Sequence, residues 1–102
     1  MTTYTVGIWT VKPGREEDFV ATWQAMSERT LAEFPNAHGT LLRHRDQQNR
    51  FVSFGPWESD EQVVAWRQSA AFKEGVARMQ DMLEDFVPGT YDLVLDSAQT
   101  EQ

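Results

Sequence analysis

The chain has no cysteine among its 102 residues. That excludes disulfides, thiolate metal sites and a cysteine nucleophile. Positive charge is scarce: 9 Lys and Arg stand against 16 Asp and Glu, for a formal net charge of −7. Binding to nucleic acid or to an anionic membrane surface needs clustered cations, so neither is an expected partner. No apolar run approaches the roughly 20 residues needed to span a bilayer. Met1-Thr2-Thr3-Tyr4 has no basic segment ahead of an apolar one, so no secretory leader is read there and the cytoplasm is the expected location. The two histidines, His38 and His44, are six residues apart. On one strand that spacing separates them by roughly 20 Å at ~3.4 Å per residue, so no metal site is expected. Neither a P-loop nor G-x-G-x-x-G is present, and nucleotide binding has no support.

What is present fits one small globular domain. Hydrophobic residues make up 40% and charged residues 25%, and a chain this long builds one core rather than two. The expected domain spans residues 1–102, with an ordered core at about 4–96 and a polar, fraying tail at 97–102.

Residues 4–12 (YTVGIWTVK) read as a strand stopped by Pro13-Gly14. A helix follows, with Glu16, Glu17 and Asp18 in its first turn, where negative charge suits the dipole. Phe19, Trp23, Met26, Thr30 and Phe34 form its apolar stripe. Residues 38–45 and 50–57 read as a hairpin around the polar turn Asp46-Gln47-Gln48-Asn49. Ser59 and Gln62 fit a capping box opening a short helix through Trp66, and Ser69 caps the next. There Phe72, Val76, Met79 and Leu83 repeat at helical spacing, Pro88-Gly89 breaks the helix, and residues 90–96 form the last strand. The order βαββαβ predicts an α+β, ferredoxin-like fold: an antiparallel four-stranded sheet with helices on one face.

Both faces of the sheet carry apolar residues. Tyr4, Val6 and Ile8 oppose Gly7, Trp9 and Val11 in the first strand. Val52 and Phe54 oppose Phe51, Ser53 and Trp57 in the third. Helices cover one face only, so a second copy of the chain is the expected cover for the other, giving a two-sheet barrel across a homodimer.

Three stretches carry a family resemblance: Val11-Lys12-Pro13-Gly14 before an acidic helix start, Phe54-Gly55-Pro56-Trp57-Glu58-Ser59 at a strand end, and Ala65-Trp66-Arg67-Gln68-Ser69-Ala70-Ala71-Phe72 in a helix. The last two are similar to W-E-S and W-x-x-S-x-x-F signatures. With them the chain resembles the antibiotic biosynthesis monooxygenase family of dimeric α+β barrels, over residues 4–95. The resemblance implies a pocket between sheet and helices. Gly7, Trp9, Ser53 and Trp57 would line it, with His38, Thr40, Leu42 and His44 from the second strand. Trp23, Met26, Trp66, Phe72, Val76 and Met79 would close it.

Two activities within the family can be compared residue by residue. Members that oxidise aromatic polyketides without a cofactor match at Trp57, but carry Asn where this chain has Ser53 and Tyr where it has Leu42. Haem-degrading members match at Trp66, but their haem-ligating His falls at Val76 and their first-strand Asn at Gly7. Val cannot ligate iron, so haem degradation is disfavoured.

The expected activity is therefore a cofactor-independent oxygenation of a small hydrophobic, aromatic molecule such as a phenol, quinol or anthrone. Such a substrate loses a proton, and its anion reduces O₂ in a dry pocket that holds a base and donors for the oxyanion. Trp57, Trp66 and His38 are the candidate catalytic residues. Gly7, Trp9, Trp23, Leu42, His44, Ser53, Phe72, Val76 and Met79 are the candidate substrate contacts. The alternative is a non-catalytic ligand-binding or structural homodimer, in which the tryptophans pack a sheet–helix corner. The discriminator is whether His38, His44 or Ser53 reaches a cavity, or whether Trp9, Trp23, Trp57 and Phe72 fill that space.

Overall fold

The structure is a computed structural model and describes residues 2–98. Most of the expected polar tail, residues 99–102, lies outside the described residues. Four strands and three helices alternate as β1 (Thr3–Val11), α1 (Glu16–Glu33), β2 (Thr40–Arg43), β3 (Arg50–Trp57), α2 (Asp60–Gln68), α3 (Ala70–Met79) and β4 (Leu83–Asp92). A single 3-10 turn, Gln80–Met82, joins α3 to β4. The sheet runs β2-β3-β1-β4, and each neighbouring pair is antiparallel. This is the ferredoxin-like order that the strand and helix succession predicts.

The helix starts follow from their caps. Ser59 Oγ accepts the Gln62 backbone N–H at 3.2 Å, and Ser69 Oγ accepts that of Phe72 at 3.3 Å. Each satisfies a donor that the first helical turn leaves free. Gln62 completes the arrangement by accepting the Glu58 N–H at 3.3 Å. The α1 start has no side-chain cap; Glu16, Glu17 and Asp18 instead fill its first turn. Ahead of it Gly14 takes φ 93°, a conformation natural only to glycine, and its N–H donates to Glu16 Oε1.

The helices lie on the face shared by Trp9, Val11 and Phe51. These residues join Phe19, Met26 and Met79 in the main buried cluster. Removing a Phe, Met or Val side chain of this kind from water contributes about 1.5–3 kcal/mol. A second cluster, Ala37, Trp57 and Val63 with Phe34 and Trp66 against it, closes the other end of the layer. Gly75 lets α3 approach α1, because a β-carbon there would stand 2.6 Å from the Met26 sulfur. The opposite face carries Leu42, Val52, Phe54, Val87 and Tyr91, all exposed.

The last strand departs from the sequence expectation. It starts at Leu83 rather than at residue 90, and Pro88-Gly89 lies inside it. Leu83 is therefore no helical residue; it opposes Val11 in the sheet. A proline is tolerated because β4 has a neighbour on one side only, and an outer strand can dispense with an N–H. Pro56 fits the same rule: β2 stops pairing at Thr40↔Phe54, so β3 has a free side beyond that point. The second strand is also shorter than residues 38–45, and both histidines fall outside it.

Candidate functional site

A cavity of about 70 Å³ lies between the sheet and the helices. On this measure one water needs roughly 10–15 Å³, so the space admits several waters or part of an organic molecule. Trp9, Trp23, Trp57, Trp66, Phe72 and Phe86 are among the aromatic residues of the wall. Gly7, Ser53 and His38 also line it, together with Thr5, Thr30, Ser27 and Arg67. The tryptophans thus do both things that their positions allow: Trp9 (3% exposed) and Trp57 (7%) pack the core and also line the cavity.

Five expected contacts are not in the wall. Leu42 pairs with Val52 on the opposite face and is 52% exposed; its neighbour Leu41, opposite Ser53, has the inward parity. His44 stands at the hairpin turn, where Nδ1 accepts the backbone N–H groups of Asp46 and Gln47 at 3.1 Å each. Met79 is fully buried in the main cluster, and Val76 packs against it. Thr40 faces outward with Leu42. His38 does reach the cavity, from the loop that precedes β2. Gly55 lets this loop lie against β3, since a β-carbon there would overlap the His38 carbonyl. Across the loop, Gly39 sits against Trp23.

Three indole N–H groups at the cavity share one arrangement. Trp9 Nε1 donates to Ser53 Oγ at 2.9 Å, Trp57 Nε1 to Thr5 Oγ1 at 2.9 Å, and Trp66 Nε1 to Thr30 Oγ1 at 3.1 Å. The indoles are therefore spent as donors. Each hydroxyl, having accepted, keeps its own proton to give. None of the three hydroxyls donates to another group among the described residues. Donation to a bound oxygen thus falls to Ser53, Thr5 and Thr30 rather than to these three tryptophans. Sequence reasoning picked out Ser53 but missed the threonines. Thr5 shares the parity of Gly7 and Trp9, and Thr30 interrupts an apolar helical stripe; each was a readable sign of a polar group turned inward.

The first of these pairs depends on Gly7. The Trp9 indole lies across it, so that a β-carbon at position 7 would be 2.9 Å from both Trp9 Nε1 and Ser53 Oγ. Ring contacts hold Trp9 in place, stacked on Phe86 with centroids 3.9 Å apart and tilted against Phe19 at 5.3 Å. A longer side chain at position 7, such as the Asn that the haem-degrading pattern requires, would meet occupied space. With Val76 packed against the main buried cluster, position 76 offers no ligand to haem iron. Among the described residues, no group of three or more His, Asp or Glu is placed to hold a metal ion, and no helix is long and apolar enough to cross a membrane.

Comparison with known proteins agrees with this architecture. The family model described as antibiotic biosynthesis monooxygenase matches residues 4–78. YcnE of Bacillus subtilis (strain 168), which bears a provisional monooxygenase name, is 27% identical over 73 residues, covering 72% of this chain and 77% of that protein. Among solved structures, SnoaB, a cofactor-independent oxygenase from Streptomyces nogalater, superposes with a TM-score of 0.82 at 18% identity, covering 94% of this chain and 96% of that one. A protein from Bordetella bronchiseptica provisionally named an antibiotic biosynthesis monooxygenase gives 0.77 at 25% identity, covering 92% and 98%.

Proposed function

The chain belongs to the antibiotic biosynthesis monooxygenase family, and from that premise we propose that it is a cofactor-independent monooxygenase acting on a small aromatic molecule of the phenol, quinol or anthrone kind. The observation that carries this reading is the cavity itself: apolar walls, one histidine in the lining, and three hydroxyls each primed by an indole N–H. The SnoaB likeness lends the proposal a fold on which such chemistry is named.

The chemistry then needs little from the protein. His38 accepts the acidic proton of the bound substrate. The hydroxyls of Ser53, Thr5 and Thr30 hold the resulting oxyanion, and the apolar wall keeps bulk water from quenching it. The anion passes one electron to O₂, and the substrate radical and superoxide combine at carbon. Protonation gives a hydroperoxide, and loss of water leaves a carbonyl, so that a CH₂ group and O₂ become C=O and H₂O.

A homodimer belongs to the same proposal. Leu42, Val52, Phe54, Val87 and Tyr91 expose an apolar sheet face that helices do not cover, and a second sheet laid on it would bury all five. One observation favours the non-catalytic alternative: three of the four indole N–H groups at the cavity are already engaged within the protein, as they would be if those tryptophans served only to brace the fold.

Oxygen uptake separates the two. Anthrones, quinols and flavonoid-like phenols are offered to the wild type and to His38→Gln. At least one compound should consume O₂ above its blank, and losing the base should lower that rate roughly 10²–10⁴-fold. Uptake no faster than the blank for every compound removes the oxygenase reading.

A further inference from the structure

The side-chain polar groups of the cavity wall are all able to donate, and no Asp or Glu is among them. This is notable on a chain where acids outnumber bases by 16 to 9. One of the donors is a full cation. Arg67, half-buried on the last turn of α2, lines the cavity and makes no ion pair, hydrogen bond or ring contact among the described residues. Arg45 and Arg78 also lack side-chain partners among the described residues but are exposed, and other arginines are committed elsewhere. Arg15 pairs with Asp18, Arg29 with Glu74, and Arg43 donates to the Gln48 carbonyl while lying over the Phe51 ring. The Ser27 hydroxyl, on α1 in the same wall, also has no partner among the described residues.

We infer that Arg67 sets the specificity of the cavity, and that its occupant is an aromatic carboxylate whose ring lies among the tryptophans and whose charge meets the guanidinium. The planar fork of an arginine matches a carboxylate with two parallel hydrogen bonds. A partly desolvated cation with no protein partner is what a site awaiting an anion presents. The neighbouring residue fixes where this cation stands. Trp66 is tied to Thr30 by its N–H and packed against Trp57 and Phe72 at 4.9 and 4.5 Å, so α2 cannot roll Arg67 away from the cavity. A role limited to complementing the C-terminal dipole of α2 would be served equally by a residue turned to open solvent.

The inference rests on the cavity being a ligand site and is independent of turnover, so it is tested by equilibrium binding. 2-Naphthoate and its neutral isostere 2-naphthamide are titrated against wild type, Arg67→Gln and Arg67→Lys, with tryptophan emission as the signal. Wild type should prefer the acid at least tenfold, about 1.4 kcal/mol. Arg67→Gln should abolish the preference while binding the amide within about threefold of wild type, which also shows the cavity intact. Arg67→Lys should keep part of it. Equal affinities in the wild type, a preference that survives in Arg67→Gln, or no binding of either probe at millimolar concentration would overturn the assignment. Acid-selective binding without oxygen uptake would sustain it while removing the oxygenase proposal.

Discussion

Adding one methyl group at Gly7 should cost the protein a hydrogen bond that this residue does not itself make. The new β-carbon would stand 2.9 Å from Ser53 Oγ, 2.9 Å from Trp9 Nε1 and 3.2 Å from a Phe86 ring carbon. Trp9 cannot yield, being 3% exposed and held between Phe86 and Phe19. The Ser53 hydroxyl can rotate, and in doing so it leaves the indole N–H unpaired in an apolar wall. An unsatisfied buried donor costs about 1–3 kcal/mol, and the residual crowding against Phe86 adds to it. The loss of chain entropy in the unfolded state returns about 0.4–1 kcal/mol. The net expectation for Gly7→Ala is a destabilisation of about 1.5–3 kcal/mol, read from urea titrations at fixed protein concentration with an unchanged m-value. The decisive measurement is a double-mutant cycle. Ser53→Ala alone forfeits the same bond, so the double variant should be only slightly worse than Ser53→Ala, with a coupling of about 1–2 kcal/mol. Strict additivity, or a Gly7→Ala protein within about 0.5 kcal/mol of wild type, would show that Gly7 does not act through the Trp9–Ser53 bond.

Other outcomes follow from the same contacts. Thr30→Val leaves the Trp66 N–H without an acceptor and should destabilise by about 1–3 kcal/mol. Trp66→Phe removes the donor and should partly rescue Thr30→Val in the double variant, which thermal melts can check. Phe54→Asp puts a charge on the exposed sheet face and should shift sedimentation from dimer to monomer while the isolated fold keeps its far-UV circular dichroism. A wild-type protein that already sediments as a monomer at micromolar concentration would remove the dimer proposal. Leu42→Ala should leave probe binding in the cavity within about twofold of wild type, because its side chain is on the far side of the sheet; a tenfold loss would contradict the register of β2.

Much of the fold could be read from residue order, because periodicity and caps are local properties. The α1 stripe, Ser59 and Ser69 all stand where their spacing put them. The errors share one cause: pairing partners are not local. Pro88-Gly89 reads as a breaker until β4 is known to be an outer strand. The inward expectation for Leu42 fails because the side a short strand presents is decided by its neighbour's register, and a slip of one residue exchanges the faces. His38 escaped that error only because it belongs to the loop rather than to β2. The indole–hydroxyl pairs join residues 36 to 52 positions apart, beyond the reach of any spacing rule. Arg67 carried no signal of its own, since a cation near a helix end is ordinary.

The two in-strand prolines have a further consequence for how copies of the chain can meet. Pro56 and Pro88 each remove a donor from a border where a foreign strand would otherwise add on and continue the ladder. Growth of a fibril in the plane of the sheet is thereby discouraged along β4 and along the stretch of β3 that β2 leaves unpaired. Contact through the flat of the sheet is untouched, so any self-association is steered toward a closed pair instead of an endless ribbon.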